Sequence, residues 1–99
     1  MNTVDYGGTM PQAEMPRYKC HKIVHALKIQ RVIDPSLLND ETDGSRILVP
    51  EEPFAPLRVG MEYVRKHNPQ AGGYFIRYED GYESFSPAKA FEDGYTRLI

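Results

Sequence analysis

Phe75, Arg77, Tyr82, Ser84 and Lys89 are the residues whose types and spacing best fit a recognition surface. The Asp80-Gly81 pair sits between two strand-like runs, Tyr74 to Glu79 and Tyr82 to Phe85, and predicts a two-residue type I′ hairpin turn. Such a turn sets Glu79 opposite Tyr82, Arg77 opposite Ser84 and Phe75 opposite Ser86. Tyr74, Ile76, Tyr78 and Phe85 then line a core face, with Glu83 at its rim. Phe75, Arg77, Glu79, Tyr82 and Ser84 line the other. On that second face Arg77 offers a planar fork for phosphate or carboxylate. Phe75 and Tyr82 offer flat surfaces on which a base or ring could stack. Ser84 adds an orienting hydroxyl, and Lys89, on the element after the hairpin, adds a second cation for phosphate. The plainer reading of the same face is a solvated or subunit-packed surface, with Arg77 paired to Glu79 or Glu83. Richness in tyrosine is equally typical of protein interfaces.

Other chemistry finds little support. Cys20, His21 and His25 invite a metal reading, but on a strand the two histidines lie roughly 13 Å apart at about 3.3 Å per residue. Metal–nitrogen bonds of about 2 Å do not bridge that separation. A helix there would allow the pair to chelate. Gly72-Gly73 precedes a strand rather than a helix and so offers no helix N-terminus to a phosphate. There is no nucleophile motif, P-loop or dinucleotide fingerprint, and no acidic pair is spaced for acid–base work. The expectation is a protein that is not an enzyme and carries no cofactor and no metal.

The composition is that of a small globular protein: 99 residues, 40% hydrophobic, 26% charged, net charge −2, seven Tyr and no Trp. A single cysteine forms no internal disulfide and suits a reducing cytosol. Charge is unevenly placed. Arg17, Lys19, Lys22, Lys28 and Arg31 fall in a run with no acid, while Asp34, Asp40, Glu41, Asp43, Glu51 and Glu52 are offset nearby only by Arg46. A solvated surface is the plain reading of the basic run, and an anion-facing strand is the sharper one. The near-neutral total argues against general DNA binding. No segment approaches a membrane span or a signal peptide.

The elements that must hold these residues follow from pattern. Residues 1–16 lack periodicity and predict a flexible arm, with Met15 as an alternative start; residues 17–99 form a single domain. Ile23 to Ile33 holds five β-branched residues and predicts a strand with Ile23, Leu27, Ile29 and Ile33 on one face. Asp34-Pro35 ends it. Ser36 to Ser45 predicts an exposed acidic loop, and Arg46 to Val49 a short strand. Pro50 to Leu57 predicts an extended, unpaired edge with Phe54 packed inward. Met61 to His67 predicts a helix with Met61 and Val64 sharing a face, basic residues in its last turn, and a stop at Asn68-Pro69. After the hairpin, Ser86 predicts an N-cap with Pro87 at the first helical position, a helix to Asp93, a stop at Gly94 and a closing strand Tyr95 to Ile99. The expected fold class is α+β, a small twisted antiparallel sheet of four to five strands with one or two short helices.

The stretches Tyr18-Lys19-Cys20-His21-Lys22, Ala26-Leu27-Lys28-Ile29, Lys66-His67-Asn68-Pro69-Gln70, Gly72-Gly73-Tyr74, Asp80-Gly81-Tyr82, Ser86 to Glu92 and Gly94 to Arg97 lie within Tyr18 to Ile33 and Tyr63 to Arg97, about half of the chain. In them the sequence resembles small uncharacterised accessory proteins of tailed phages and prophages. A looser likeness, in the strand–turn–strand–helix–strand order of Tyr74 to Ile99, is to phage sponge proteins of an anti-Thoeris family that sequester nucleotide immune signals. The first resemblance implies a phage accessory protein; the expected function is that of a phage-encoded, non-enzymatic protein in the cytoplasm of the infected bacterial host that counters defence. Its expected ligand is a cyclic nucleotide or nucleotide-derived signal held at a homo-oligomer interface. The alternative is a module that binds a host defence protein, or a minor structural component of the phage.

Overall fold

The computed structural model describes residues 14–39 and 43–99. Residues 1–13 of the expected arm, and Asp40 and Glu41 of the acidic loop, lie outside the described residues.

Among the described residues, five antiparallel strands form one sheet in the order β3-β2-β1-β4-β5, and three short helices complete an α+β fold. β1 (His25–Ile33) is the organising strand. Its first half pairs with β4 (Tyr74–Arg77), with Leu27 opposite Phe75 and Lys28 opposite Tyr74. Its second half pairs with β2 (Arg46–Pro50), with Ile33 opposite Ile47. The register shifts between Ile29 and Arg31. That bulge at Gln30 bends the strand, so one β1 serves two neighbours along its length.

β3 (Leu57–Val59) pairs with β2 through Arg46↔Val59 and Leu48↔Leu57. The expected unpaired crossing therefore ends in a laddered edge strand at Leu57, where the prolines stop. Phe54 is 41% exposed and does not pack inward; Glu51 and Phe54 close a tight turn instead.

The acidic stretch is not wholly loop. α1 (Ser36–Asn39) is a single helical turn. The Asp34 carboxylate accepts the Ser36 N–H at 3.0 Å, the capping role that short acidic side chains fill at helix starts. That bond holds the Asp34 carboxyl below its ordinary range.

α2 (Met61–His67) follows the expected bounds, with Glu62 in its first turn and Arg65, Lys66 and His67 in its last. Asn68 ends it in the left-handed region at φ 45°, its N–H bonded to the Val64 carbonyl. Tyr63 and Val64 face the core, whereas Met61 is 45% exposed. The core comprises Ile29, Leu48, Val59 and Phe75, with Val32, Leu57, Tyr63, Val64 and Phe85 against it.

The hairpin of β4 and β5 (Glu83–Ser86) departs from its expected register by one residue. Phe75 faces Phe85, Ile76 faces Ser84 and Arg77 faces Glu83. The cause lies in the turn. Gly81 has φ 90°, and Asp80 is not among the residues with positive φ. A type I′ turn needs positive φ at both central positions. The chain instead closes through Tyr78 N–H to Tyr82 O and Gly81 N–H to Tyr78 O, both 2.9 Å. This is a three-residue loop, Glu79-Asp80-Gly81, with glycine at the left-handed site. Asp80 completes it by accepting the Tyr82 N–H at 2.9 Å. Because strand side chains alternate, a one-residue slip moves each residue of one strand to the opposite face. Phe75 and Phe85 therefore share the buried face. A side chain at Gly73 would run into the Phe85 ring and sit 2.7 Å from the Ser86 carbonyl, so the close approach under Phe85 requires glycine there.

α3 (Ala88–Gly94) begins one residue later than expected, with Pro87 as its N-cap and no side-chain cap bond. It docks on the opposite sheet face through rings. Tyr74 stacks on Phe91 at 4.2 Å and Phe91 on Tyr95 at 4.5 Å. Residues 95–99 form no strand; Tyr95 is engaged by the stack on Phe91 rather than by a sheet edge.

Candidate functional site: a tyrosine and cation surface at the hairpin tip

The three-residue turn brings Tyr78 and Tyr82 together at the end of the hairpin, their rings 5.9 Å apart and 26° from parallel. Two lysines from other elements cover them. Lys22, ahead of β1, lies 5.6 Å from the Tyr78 ring centre. Lys66, in the last turn of α2, lies 5.0 Å from that of Tyr82. Each contact is of the cation–π kind, worth about 0.5–1 kcal/mol at exposed sites.

His67 meets the Tyr82 ring edge-on at 6.2 Å and 70°. It also packs on Tyr63 at 4.8 Å, and Tyr63 on Phe75 at 5.8 Å. A path of rings thus runs from buried Phe75 through Tyr63 and His67 to Tyr82 and Tyr78 at the surface. The Tyr63 hydroxyl donates to the Ser84 carbonyl at 2.6 Å and ties α2 to β5. Burial, followed by the nearby Glu83 charge, pushes the Tyr63 phenol well above its ordinary range, so it stays a donor. Burial and then the Lys66 charge lower the His67 pKa, which favours the neutral ring against its aromatic neighbours. Lys22, Ile23, Tyr78, Glu79, Asp80 and Tyr82 line an open cleft beside the turn.

The five residues singled out by sequence do not share one surface. Phe75 is 3% exposed and belongs to the core, so its ring offers no stacking face to a ligand. Arg77 lies over that ring at 5.5 Å and makes a two-pronged contact to Glu83 at 2.9 and 3.0 Å. Pairing with Glu83 was one of the plain expectations. Tyr82 is 46% exposed and stands in the tip cluster. Ser84 pairs with Ile76, on the face away from Phe75 and Arg77. Lys89 lies on α3 and pairs with Asp93 at 2.8 Å.

Lys22, Lys66, His67 and Tyr78 are the tip residues that sequence reasoning did not select. Lys66 and His67 were legible as basic residues ending a helix, but no local pattern shows that this helix end meets a turn some fifteen residues on. A two-residue turn would place Tyr78 in the core; the three-residue loop places it at the tip. Among the described residues, no group of three or more His, Cys, Asp or Glu is placed to hold a metal ion, and no helix is long and apolar enough to cross a membrane.

A partly exposed tyrosine pair with cations over its rings suits contact with another macromolecule better than chemistry on a small one. No protein-family model and no curated protein matches the chain. Among solved structures, it is similar to the monomeric form of the phage L decoration protein, determined in solution by NMR. The two are 27% identical with a TM-score of 0.56, over 79% of this chain and 54% of that one. The chain thus spans about half the length of the phage protein that it matches.

Proposed function

We propose that this chain is a non-enzymatic accessory component of a phage particle, which docks on the protein shell through the hairpin-tip end. The observation that carries this reading is the likeness in fold and sequence to a phage decoration protein. The Tyr78–Tyr82 cluster, with Tyr82 exposed and Tyr78 half-buried, supplies a surface of the composition that protein interfaces favour. Both sheet edges, β3 and β5, have a neighbour on one side only. Pairing of copies along an edge would give the homo-oligomer expected from sequence. Assembly would take place in the host cytoplasm, where the chain meets forming particles.

Sequestering a nucleotide second messenger is the competing reading within the same resemblance. It asks Phe75, Arg77, Tyr82, Ser84 and Lys89 to meet one ligand, whereas the sheet divides them between a core, an ion pair, the tip and the far face. Blocking a host factor draws on the same tip surface as shell docking. Density-gradient banding of particles from cells that produce the phage and a tagged copy of the chain tests the proposal. The chain is expected in the particle band. Its confinement to the soluble fraction, together with a nucleotide released on heating the purified protein, would replace docking with sequestration.

A further inference from the structure

Residues 14–24, which precede β1, have no regular secondary structure. Among the described residues, no backbone–backbone hydrogen bond joins this segment to the sheet. Its side chains are nevertheless far from neutral filler. Met15 is 87% exposed, Tyr18 91% and Ile23 57%, and Arg17, Lys19 and Lys22 stand between them with no acid after Glu14. Five of the nine cations of the folded body behave differently. Lys28, Arg46, Arg58, Arg77 and Lys89 each sit within ion-pair distance of a carboxylate. Arg17, Lys19 and Lys22 have no carboxylate partner among the described residues, and Lys22 alone is placed, over Tyr78.

We infer that this arm is a docking strap that lies along an anionic protein surface of the partner, with Tyr18 as its apolar anchor. The inference rests on the shell-docking reading and assigns the arm a part in it. Lys22 fixes the root of the strap beside the Tyr78–Tyr82 cluster, so arm and tip present one continuous surface. An extended segment with unused backbone donors and alternating cations gains most from a surface that supplies carboxylates and carbonyls. A polyanion such as nucleic acid fits less well. Outside the run Arg17 to Arg31, which holds five cations and no acid, the chain has seven cations against fourteen acids; a phosphate backbone, charged along its whole length, meets that acidic body as well as the arm, whereas a local carboxylate cluster on a protein meets the arm alone.

The test uses the full chain and its triple variant R17S/K19S/K22S, each mixed with phage particles, untreated or nuclease-treated, and sedimented at about 0.05 M and about 0.5 M salt, a range over which exposed charge pairs become screened. The expected result is that high salt lowers retention of the unaltered chain about tenfold, while the variant is retained about tenfold less at low salt and responds little to salt. An unchanged melting temperature of the variant shows that its loss is not unfolding. Equal retention of variant and unaltered chain overturns the strap while leaving shell docking in place. Retention that disappears on nuclease treatment overturns it in favour of nucleic acid. Absence of the unaltered chain from the pellet at both salts overturns both readings.

Discussion

The two faces of the β4–β5 hairpin hold two aromatic clusters of opposite character, built from neighbouring residues. Under α2, Phe75 and Phe85 join Tyr63 in a core that includes fully buried Ile29 and Leu48. Under α3, Tyr74, Phe91 and Tyr95 form a ladder of rings, none of them buried, on the face that also carries buried Ile76. Polar bonds at the rim hold this second cluster: Glu92 accepts from the Tyr74 hydroxyl at 2.7 Å and from Lys28 at 3.1 Å. The first face is secured by burial of its rings, and the second adds stacking and charge at the water boundary to the burial of Ile76. The same comparison separates structure from surface. Rings that reach the core position those at the tip, where Tyr82 is available to a partner.

Truncation of the two clusters should expose the asymmetry most strongly. Phe75→Ala is expected to destabilise the fold by about 3–5 kcal/mol, the usual cost of removing a buried phenyl ring. Phe91→Ala is expected to cost about 1–2 kcal/mol, mostly through lost ring pairing. Urea unfolding of both variants checks the ordering; similar costs would erase the distinction between the faces. A finer probe of the dry face is Tyr63→Phe, which keeps the ring and removes the bond to the Ser84 carbonyl. The expected loss is about 0.5–1.5 kcal/mol.

The link between core and tip should respond to pH through His67. Its folded-state pKa is lowered, by burial first and then by Lys66. The unfolded chain therefore binds a proton at higher pH than the folded one, and stability falls as pH drops below the ordinary histidine range. Melting temperature should decline between about pH 7.5 and pH 5.5, a window above that of the carboxylates. His67→Gln should flatten this decline, and a decline of the same size in the variant would assign it elsewhere. The smallest effect is expected at Arg77. Its pair with Glu83 is exposed, with side-chain accessibilities of 52% and 37%, and such pairs contribute less than about 1 kcal/mol. Arg77→Ala should leave the melting curve almost unchanged, and a large loss would mean that the pair organises the hairpin.

Much of this architecture was legible in the chain. The β-branched run before Asp34-Pro35, the helix stopped by Asn68-Pro69 and the strands around Asp80-Gly81 each follow from local backbone rules. The site was less legible because its assignment hung on a single turn. Asp-Gly suits two hairpin loops that differ by one residue, and Asp80 decides between them by adopting negative φ and bonding the Tyr82 N–H. That choice moved Phe75 from an imagined ligand face into the core and placed Tyr78 at the tip. The short strand Leu57–Val59 escaped notice because the prolines before it read as a break. The expected closing strand at Tyr95 to Ile99 failed because its first ring finds Phe91 before it finds a sheet edge. The meeting of α2 with the hairpin tip is a tertiary contact for which no sequence period exists.

The central claim is that the tip cluster touches the particle. It is tested most directly by comparing retention on purified particles of the unaltered chain, Arg77→Ala and the double variant Y82A/K66A. The account predicts that Arg77→Ala is retained like the unaltered chain, and that the folded double variant is retained about tenfold less, a loss of about 1.4 kcal/mol. Full retention of a folded double variant would contradict it.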